Sequence, residues 1–211
     1  MSGFLYPQEM WDKRFSTPEY VFGEEPNTFL AAQARELPPG FALAIADGEG
    51  RNSVWLARQG HQVDAFDFSK AAVAKARSLA ANHGVKVNFN CSDWQSFDWR
   101  TDHYDLVAGV FFQFATPAER GDLFERIRQC LKPGGVLIIQ GYGKNQLTYR
   151  TGGPDKLDHL YDEELLREAF SGFTVQVCET YETVLHEGAG HEGMSALVGF
   201  VATKPIQGFE S

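Results

Sequence analysis

The chain has 211 residues, 43% hydrophobic and 13% aromatic, and a formal net charge of −9 at pH 7. That length suits one domain with a substantial core. The acidic balance argues against DNA or RNA as partner, because phosphate backbones would be repelled, and no run of about 18 apolar residues suggests a membrane span. Cys91, Cys130 and Cys178 are far apart and form no CxxC, which points to reduced, buried thiols. "MSGFLYPQEMWDKRF" has no charged start followed by an apolar stretch, so the expected location is the cytoplasm.

In chain order, a helix is expected after Gln8, then the loop "STPEYVFGEEPN", then a helix from Asn27. "FALAIA" (41–46) reads as a buried strand, and "RNSVWLARQG" (51–60) as a helix stopped by Gly60. "HQVDAFDF" (61–68) is a second strand. "SKAAVAKARSLAANHG" (69–84) is an alanine-rich helix with Ser69 as N-cap and Gly84 past its end. "VKVNFNC" (85–91) and "YDLVAGVFF" (104–112) are the third and fourth strands. "TPAERGDLFERIRQCL" (116–131) opens with Thr116, Pro117 and Glu119, a capping box with proline at the first helical position. "KPGG" is a turn before a fifth strand, "GVLIIQGY" (135–142). Residues 143–160 read as loop, with "TGGPD" at the centre. Asp162 can cap the helix "EELLREAF". "FTVQVCETYETVL" and "MSALVGFVATK" are two strands around "HEGAGHEG", and strands joined without a helix pair antiparallel.

Alternating strands and helices imply parallel pairing through right-handed crossovers. The expected fold is α/β: a Rossmann-like, doubly wound, mostly parallel seven-stranded sheet ending in an antiparallel hairpin. The whole chain is one domain. Residues 1–38 are expected to form a helical segment, 39–142 the alternating core, and 143–211 a long loop with the terminal hairpin. Ligands of such sheets bind at the carboxyl ends of the strands.

The chemistry concentrates there. "ADGEGRN" follows the first strand: Gly48 and Gly50 allow close approach by a ligand, and the helix from Arg51 offers free N–H groups. The same loop arises wherever a strand-to-helix turn needs glycine. Asp67 ends the second strand, 19 positions after Gly48, where a carboxylate can accept both ribose hydroxyls of a nucleoside; it could also simply favour the helix capped by Ser69. Asp93 in "CSDW" can accept from an adenine amino group with Trp94 beside the ring, or form an ordinary Asx-turn. "GEGRNS" nearly fits G-x-G-x-x-A, so a nicotinamide cofactor is an alternative. Against it stand the missing third glycine, the small room for a substrate domain, and the hairpin in place of a second mononucleotide half.

The ordered set "LAIADGEGRN", "DAFDFS", "CSDW", "YDLVAGVFF", "LKPGGVLIIQGY" and a final hairpin resembles a class I S-adenosylmethionine-dependent methyltransferase over nearly the whole chain. "WDKRF", "EYVFGEEPNTFL" and "GEGRN" are similar to the small bacterial tellurite-resistance and thiopurine methyltransferase-like groups. The resemblance implies S-adenosylmethionine as cofactor and S-adenosylhomocysteine as its product. It implies that Ala46, Asp47, Gly48, Glu49, Gly50, Arg51 and Asn52 surround the methionine part, with Val110 and Phe111 near its amino group. Asp67, flanked by Phe68 and Ser69, falls to the ribose, and Asp93 with Trp94 to the adenine. Tyr20 and Gly23 would reach the ligand from the N-terminal loop. The family loop is commonly D-x-G-x-G-x-G, but Ala44 stands at the acidic position and Ala46 at the first glycine. Asp47 or Glu49 would then take part of the acid's role. Ala46 is expected to exclude a positive-φ backbone and to alter binding without abolishing it.

Methyl transfer from a sulfonium is an in-line displacement of an activated donor, so the enzyme mainly aligns and desolvates. The expected acceptor is a small molecule, a thiol or an oxyanion. Trp11, Arg14, Phe15, Tyr20 and Phe22 are lid candidates, although Trp11 and Phe15 share a helical face and can equally pack. Phe111, Phe112 and Phe114 frame Gln113 as a polar handle. Tyr20, Gln113, His186 and His191 are the candidates for catalytic work. His186 and His191 read first as solvated turn residues, and with no third fixed ligand no metal is assigned. The family placement turns Tyr149, Arg150 and "TGGPD" toward the acceptor. A non-catalytic protein that binds S-adenosylmethionine or S-adenosylhomocysteine is the other reading that the variant loop admits.

Overall fold

The computed structural model describes residues 8–206. Two helices, α1 (Gln8–Phe15) and α2 (Thr28–Ala34), precede the alternating core. The core runs β1 (Phe41–Ile45), α3 (Arg51–Arg58), β2 (Gln62–Asp67), α4 (Lys70–Asn82), β3 (Val87–Cys91), β4 (Tyr104–Val110), α5 (Pro117–Cys130) and β5 (Leu131–Tyr142). It finishes with α6 (Gln146–Tyr149), α7 (Glu163–Ala169), β6 (Thr174–His186) and β7 (Glu192–Thr203). The strands form one seven-stranded sheet in the order β3-β2-β1-β4-β5-β7-β6. β1 to β5 pair in parallel, and β7 runs antiparallel between β5 and β6. This is the expected Rossmann-like α/β sheet with a terminal hairpin. The order reverses at β1/β4, and the crevice opens beyond the carboxyl ends of those strands.

Central strands are buried on both faces, which explains the continuous apolar runs. Leu43, Ile45, Val107, Leu137 and Ile139 point to one side, in a core with Phe112, Phe124 and Phe170. Ala42, Leu106, Ala108 and Ile138 point to the other, against Leu30, Ala34 and Leu56. The helix starts match their sequence signals. Ser69 accepts from Ala72 N, Asp162 from Leu165 N, and Thr116 with Glu119 forms the capping box. Asn27 caps α2 by accepting from Leu30 N at 2.9 Å.

Two stretches differ from expectation. "KPGG" is absorbed into β5, with a register shift between Tyr104 and Leu106 where β4 meets it. Residues 143–160 contain α6 and a short 3₁₀ turn, Leu157–His159. α6 is only four residues long, too short to stand on propensity. The Gln146 amide holds it: Nε2 donates to Gly152 O at 3.1 Å, and Oε1 accepts from Ala196 N at 2.8 Å. No helix among the described residues is long and apolar enough to cross a membrane.

Candidate active site

A cavity of about 390 Å³ opens at the carboxyl ends of β1, β2 and β4, within the usual range for small-molecule sites. Its floor is the turn between β1 and α3. Asp47 N donates to Phe66 O at 3.0 Å, and the Asp47 carboxylate accepts from both the Ser53 N–H and the Ser53 hydroxyl. An acid at the N-terminus of α3 satisfies its free donors. Burial first, and the nearby Asp67 second, push the Asp47 carboxyl up to about 7 against those hydrogen bonds. Glu49 is also buried; it pairs with Lys75 of α4 at 2.5 Å and accepts from Phe22 N at 3.3 Å. Asp47 thus organises the loop from one side and Glu49 ties it to α4 and to the N-terminal segment, with Ala44 taking no part.

Ala46 corrects one expectation. Its φ is +48°, so the alanine does adopt the left-handed geometry. That conformation costs a residue with a Cβ roughly 1–2 kcal/mol, and the Asp47 N–H bond to Phe66 O holds the next peptide in place. Gly48 follows at φ +60° and Gly50 at +93°. Their roles differ. Gly48 lines the cavity, whereas a Cβ on Gly50 would come within 2.8 Å of Ala76. Gly50 therefore lets α3 approach α4 and does not itself face the cavity.

Asp67 is at the centre. Its Oδ2 accepts from Gly48 N at 3.0 Å and its Oδ1 from Ser69 N at 2.8 Å. Burial, and then Asp12 and Glu49, raise its carboxyl to about 6 although both N–H groups pull it down. Ser69 lies behind it: its hydroxyl donates to Asp12 of α1 at 2.5 Å while capping α4. Phe68 and Asp93 line the cavity. Asp93 also makes the turn that the bland reading foresaw, accepting from Ser96 N at 2.8 Å. Trp94 edges the cavity but is mostly a core residue, with Arg126 over its ring.

The N-terminal segment covers this floor. Trp11 stacks on Phe15 at 5.4 Å, Phe22 closes the cluster, and all three line the cavity with Arg14 and Gly23. The rings of Trp11 and Phe15 pack together and line the cavity at once. Tyr20 is not among the lining residues. Its hydroxyl donates to Lys75 O at 3.2 Å and its ring packs by Val54 and Leu79, so it anchors the segment to α4.

On the far side, Val110 and Phe111 end β4 at the cavity, Phe111 with φ +53°. Gln113 lines it too, but its amide is committed. Oε1 accepts from Tyr142 N at 2.6 Å, and Nε2 donates to Tyr142 O at 2.9 Å and His159 O at 3.2 Å. The two histidines part company. His186 is exposed and pairs with Glu192 at 2.7 Å. His191 is 7% exposed and meets the rings of Phe22 and Phe111 at 4.4 and 4.1 Å, which overturns its reading as a solvated turn residue. Burial, and then Arg51 and Arg14, hold its pKa well below the ordinary value, so it is neutral. Of "TGGPD", Gly152, Gly153 and Pro154 line the cavity, while Tyr149 and Arg150 do not.

Sequence reasoning missed a buried polar network. Arg51 pairs with Glu187 at 2.8 Å, both nearly inaccessible. Glu187 also accepts from Asn27 Nδ2 and Thr28 N, each at 3.1 Å. Asn27 Nδ2 donates to Gln140 Oε1 at 2.6 Å, and Asn52 Oδ1 accepts from Asn27 N at 2.9 Å. The start of α3, the start of α2, β5 and the hairpin turn meet in this one cluster. Asn27 is legible only as the start of a helix, and nothing in the pattern joins it to Glu187. Arg51 Nη1, Tyr142 OH and His191 Nδ1 are buried with no partner, and all three residues line the cavity.

A sheet in this order, with a glycine turn after β1 and a buried acid ending β2, defines the class I methyltransferase fold. A family model for the methyltransferase domain matches residues 42–135. A thiopurine S-methyltransferase of Vibrio atlanticus is 23% identical over 189 residues, 79% of this chain and 82% of that protein. The solved structure of TehB from Haemophilus influenzae superposes with a TM-score of 0.70 at 15% identity, over 93% of this chain and 66% of that one. A structure from work on converting a disulfide into a thioacetal in echinomycin biosynthesis superposes with a TM-score of 0.76 at 16% identity, over 97% and 94%. The chain spans 4%, 30% and 55% of the lengths of the first three curated relatives it matches. Residues 42–135 thus match a methyltransferase domain, and the whole chain has the fold of the class I methyltransferases.

Proposed function

We propose that the protein transfers the methyl group of S-adenosylmethionine to a small acceptor bound in the same cavity. The observation that carries this is one continuous cavity running from Asp67 and Asp93, past Gly48 and Arg51, to the aromatic wall of Phe111, Tyr142 and His191. Two ligands placed end to end along it would meet at Val110 and Phe111. In this reading Asp67, ordered by two backbone N–H groups, takes the ribose hydroxyls. Asp93 and Phe68 border the adenine. Ala46, Asp47, Gly48, Glu49 and Asn52 enclose the methionine part, and the orphaned Arg51 Nη1 meets its carboxylate. Gly50, Ser69 and Tyr20 support these groups from behind.

The remaining chemistry is alignment. The sulfonium is already a leaving group, so holding the nucleophile in line and excluding water supply most of the acceleration. The N-terminal aromatic cluster provides the exclusion. A thiol or an oxyanion fits a donor that needs no further activation. Calorimetric titration with S-adenosylhomocysteine tests the cofactor half: micromolar binding at one site is expected. Asp67→Ala should weaken it by at least about 1 kcal/mol, the scale of a lost charge-assisted hydrogen bond, with the thermal unfolding midpoint retained. Binding with no methyl transfer to any of a broad set of thiols and hydroxyl compounds would leave a protein that only binds the cofactor.

A further inference from the structure

Tyr142 and His191 are 2% and 7% exposed, yet Tyr142 OH and His191 Nδ1 have no hydrogen-bond partner. A buried unpaired hydroxyl costs about 1–3 kcal/mol. A tyrosine that only packed would be better as phenylalanine. The surroundings are instead built to hold these groups at the cavity. Gln113 grips the backbone N–H and carbonyl of Tyr142. A Cβ on Gly153 would come within 2.5 Å of the Tyr142 ring, and one on Gly152 within 2.7 Å of the Tyr142 hydroxyl. The turn bearing His191 is fixed by Glu187 on Arg51 and by Gly190 N donating to Val21 O at 2.9 Å. Around the polar pair the walls are flat rings: Phe111 lies 4.7 Å from Tyr142, and Phe22 lies 4.4 Å from His191.

Resting on the reading that the cavity holds the methyl donor, we infer that Tyr142 and His191 grip the acceptor by its reacting atom, and that this acceptor is a flat aromatic molecule with an ionised aryl oxygen. Oxygen is chosen over sulfur because sulfur is a weak hydrogen-bond acceptor and would leave both groups nearly as unsatisfied as they are now. An oxyanion takes two donors well. Its charge is matched by Arg14, whose guanidinium lies over Phe22, while Arg51 is already paired to the facing carboxylate of Glu187. A neutral His191 donates from Nδ1 without competing for the acceptor's proton, which leaves to solvent on binding. The oxyanion then attacks the methyl carbon, the carbon–sulfur bond breaks, and its electron pair neutralises the sulfonium. An aryl methyl ether and a thioether result, with no proton left to move.

Tyr142→Phe and His191→Phe keep the ring contacts and remove only the polar atoms. The probes are 4-nitrophenol and 4-nitrothiophenol with S-adenosylmethionine, followed by mass spectrometry, with S-adenosylhomocysteine calorimetry on every variant. Each substitution should lower kcat/KM for 4-nitrophenol about tenfold or more, leave 4-nitrothiophenol within about twofold, and leave cofactor affinity unchanged. His191→Gln, which keeps a donor, should recover part of the loss. Equal rates for wild type and both variants on 4-nitrophenol would overturn the assignment, as would methylation of the thiol alone, or of neither, by wild type. In those cases intact cofactor binding leaves the methyltransferase reading standing; absent cofactor binding removes both.

Discussion

The two ends of the cavity are satisfied in opposite ways. At the end proposed for the cofactor the buried acids are paired within the chain: Asp47 with Ser53, Glu49 with Lys75, Asp67 with two backbone N–H groups. Of the buried polar atoms without partners on cavity-lining residues, Tyr142 OH and His191 Nδ1 sit among rings at the end proposed for the acceptor, Arg51 Nη1 lies between the ends, and Ser92 Oγ lies beside Asp93. The acids of the first end are paired before any ligand arrives, with Ser92 Oγ left open beside Asp93. The second is left open to hydrogen bonding by a rigid aromatic frame. A preorganised cradle suits a constant cofactor, and a few unsatisfied groups in an apolar wall suit selection among acceptors.

The largest expected effect breaks the link between the ends. Glu187→Ala leaves Arg51 buried and unpaired and removes acceptors from Asn27 and Thr28, so stability should fall by about 3–5 kcal/mol. Chemical denaturation measures it, and a loss below 1 kcal/mol would show that the network does not bind the hairpin to the cofactor loop. Gly50→Ala adds a Cβ at φ +93° against Ala76. About 3 kcal/mol of destabilisation is expected from overpacking and left-handed strain together; an unchanged midpoint would mean that α3 and α4 can part freely.

A smaller effect sharpens the cofactor end through pH. Asp47 and Asp67 are raised to about 7 and about 6. Between the ordinary carboxyl range and those values the native state holds more protons than the unfolded chain, so the stability they contribute is lost as pH rises. The ligand-free protein should therefore lose thermal stability between about pH 4 and pH 7, while S-adenosylhomocysteine affinity should rise as Asp67 ionises. Opposite slopes are the signature; parallel slopes would place the titration elsewhere. The smallest effect is Ala46→Gly, which relieves a φ of +48° and should stabilise the protein by about 1 kcal/mol, read from the denaturation midpoint. Destabilisation would show that the Ala46 methyl contributes packing that outweighs the strain.

The sequence by itself determined the sheet, its seven strands and terminal hairpin, the helix caps at Ser69, Thr116 and Asp162, and the glycine turn and acid that frame one end of the cavity. Each of these rests on a short-range signal: apolar runs, a capping side chain, a glycine turn, and an acid set 19 positions further on. Tertiary structure alone decided that Gly50 serves a helix contact, that Tyr20 anchors the lid from outside the cavity, that Gln113 is spent on the Tyr142 backbone, and that His191 is buried while His186 is not. It alone brought Asn27, Arg51, Gln140 and Glu187 together. The reason is physical: periodicity and capping report a residue's own element, whereas burial and hydrogen-bond partnership depend on which distant element packs against it. Asn27 and Glu187 are 160 positions apart and meet only because β7 inserts between β5 and β6 and brings the hairpin turn back over the first strand's loop.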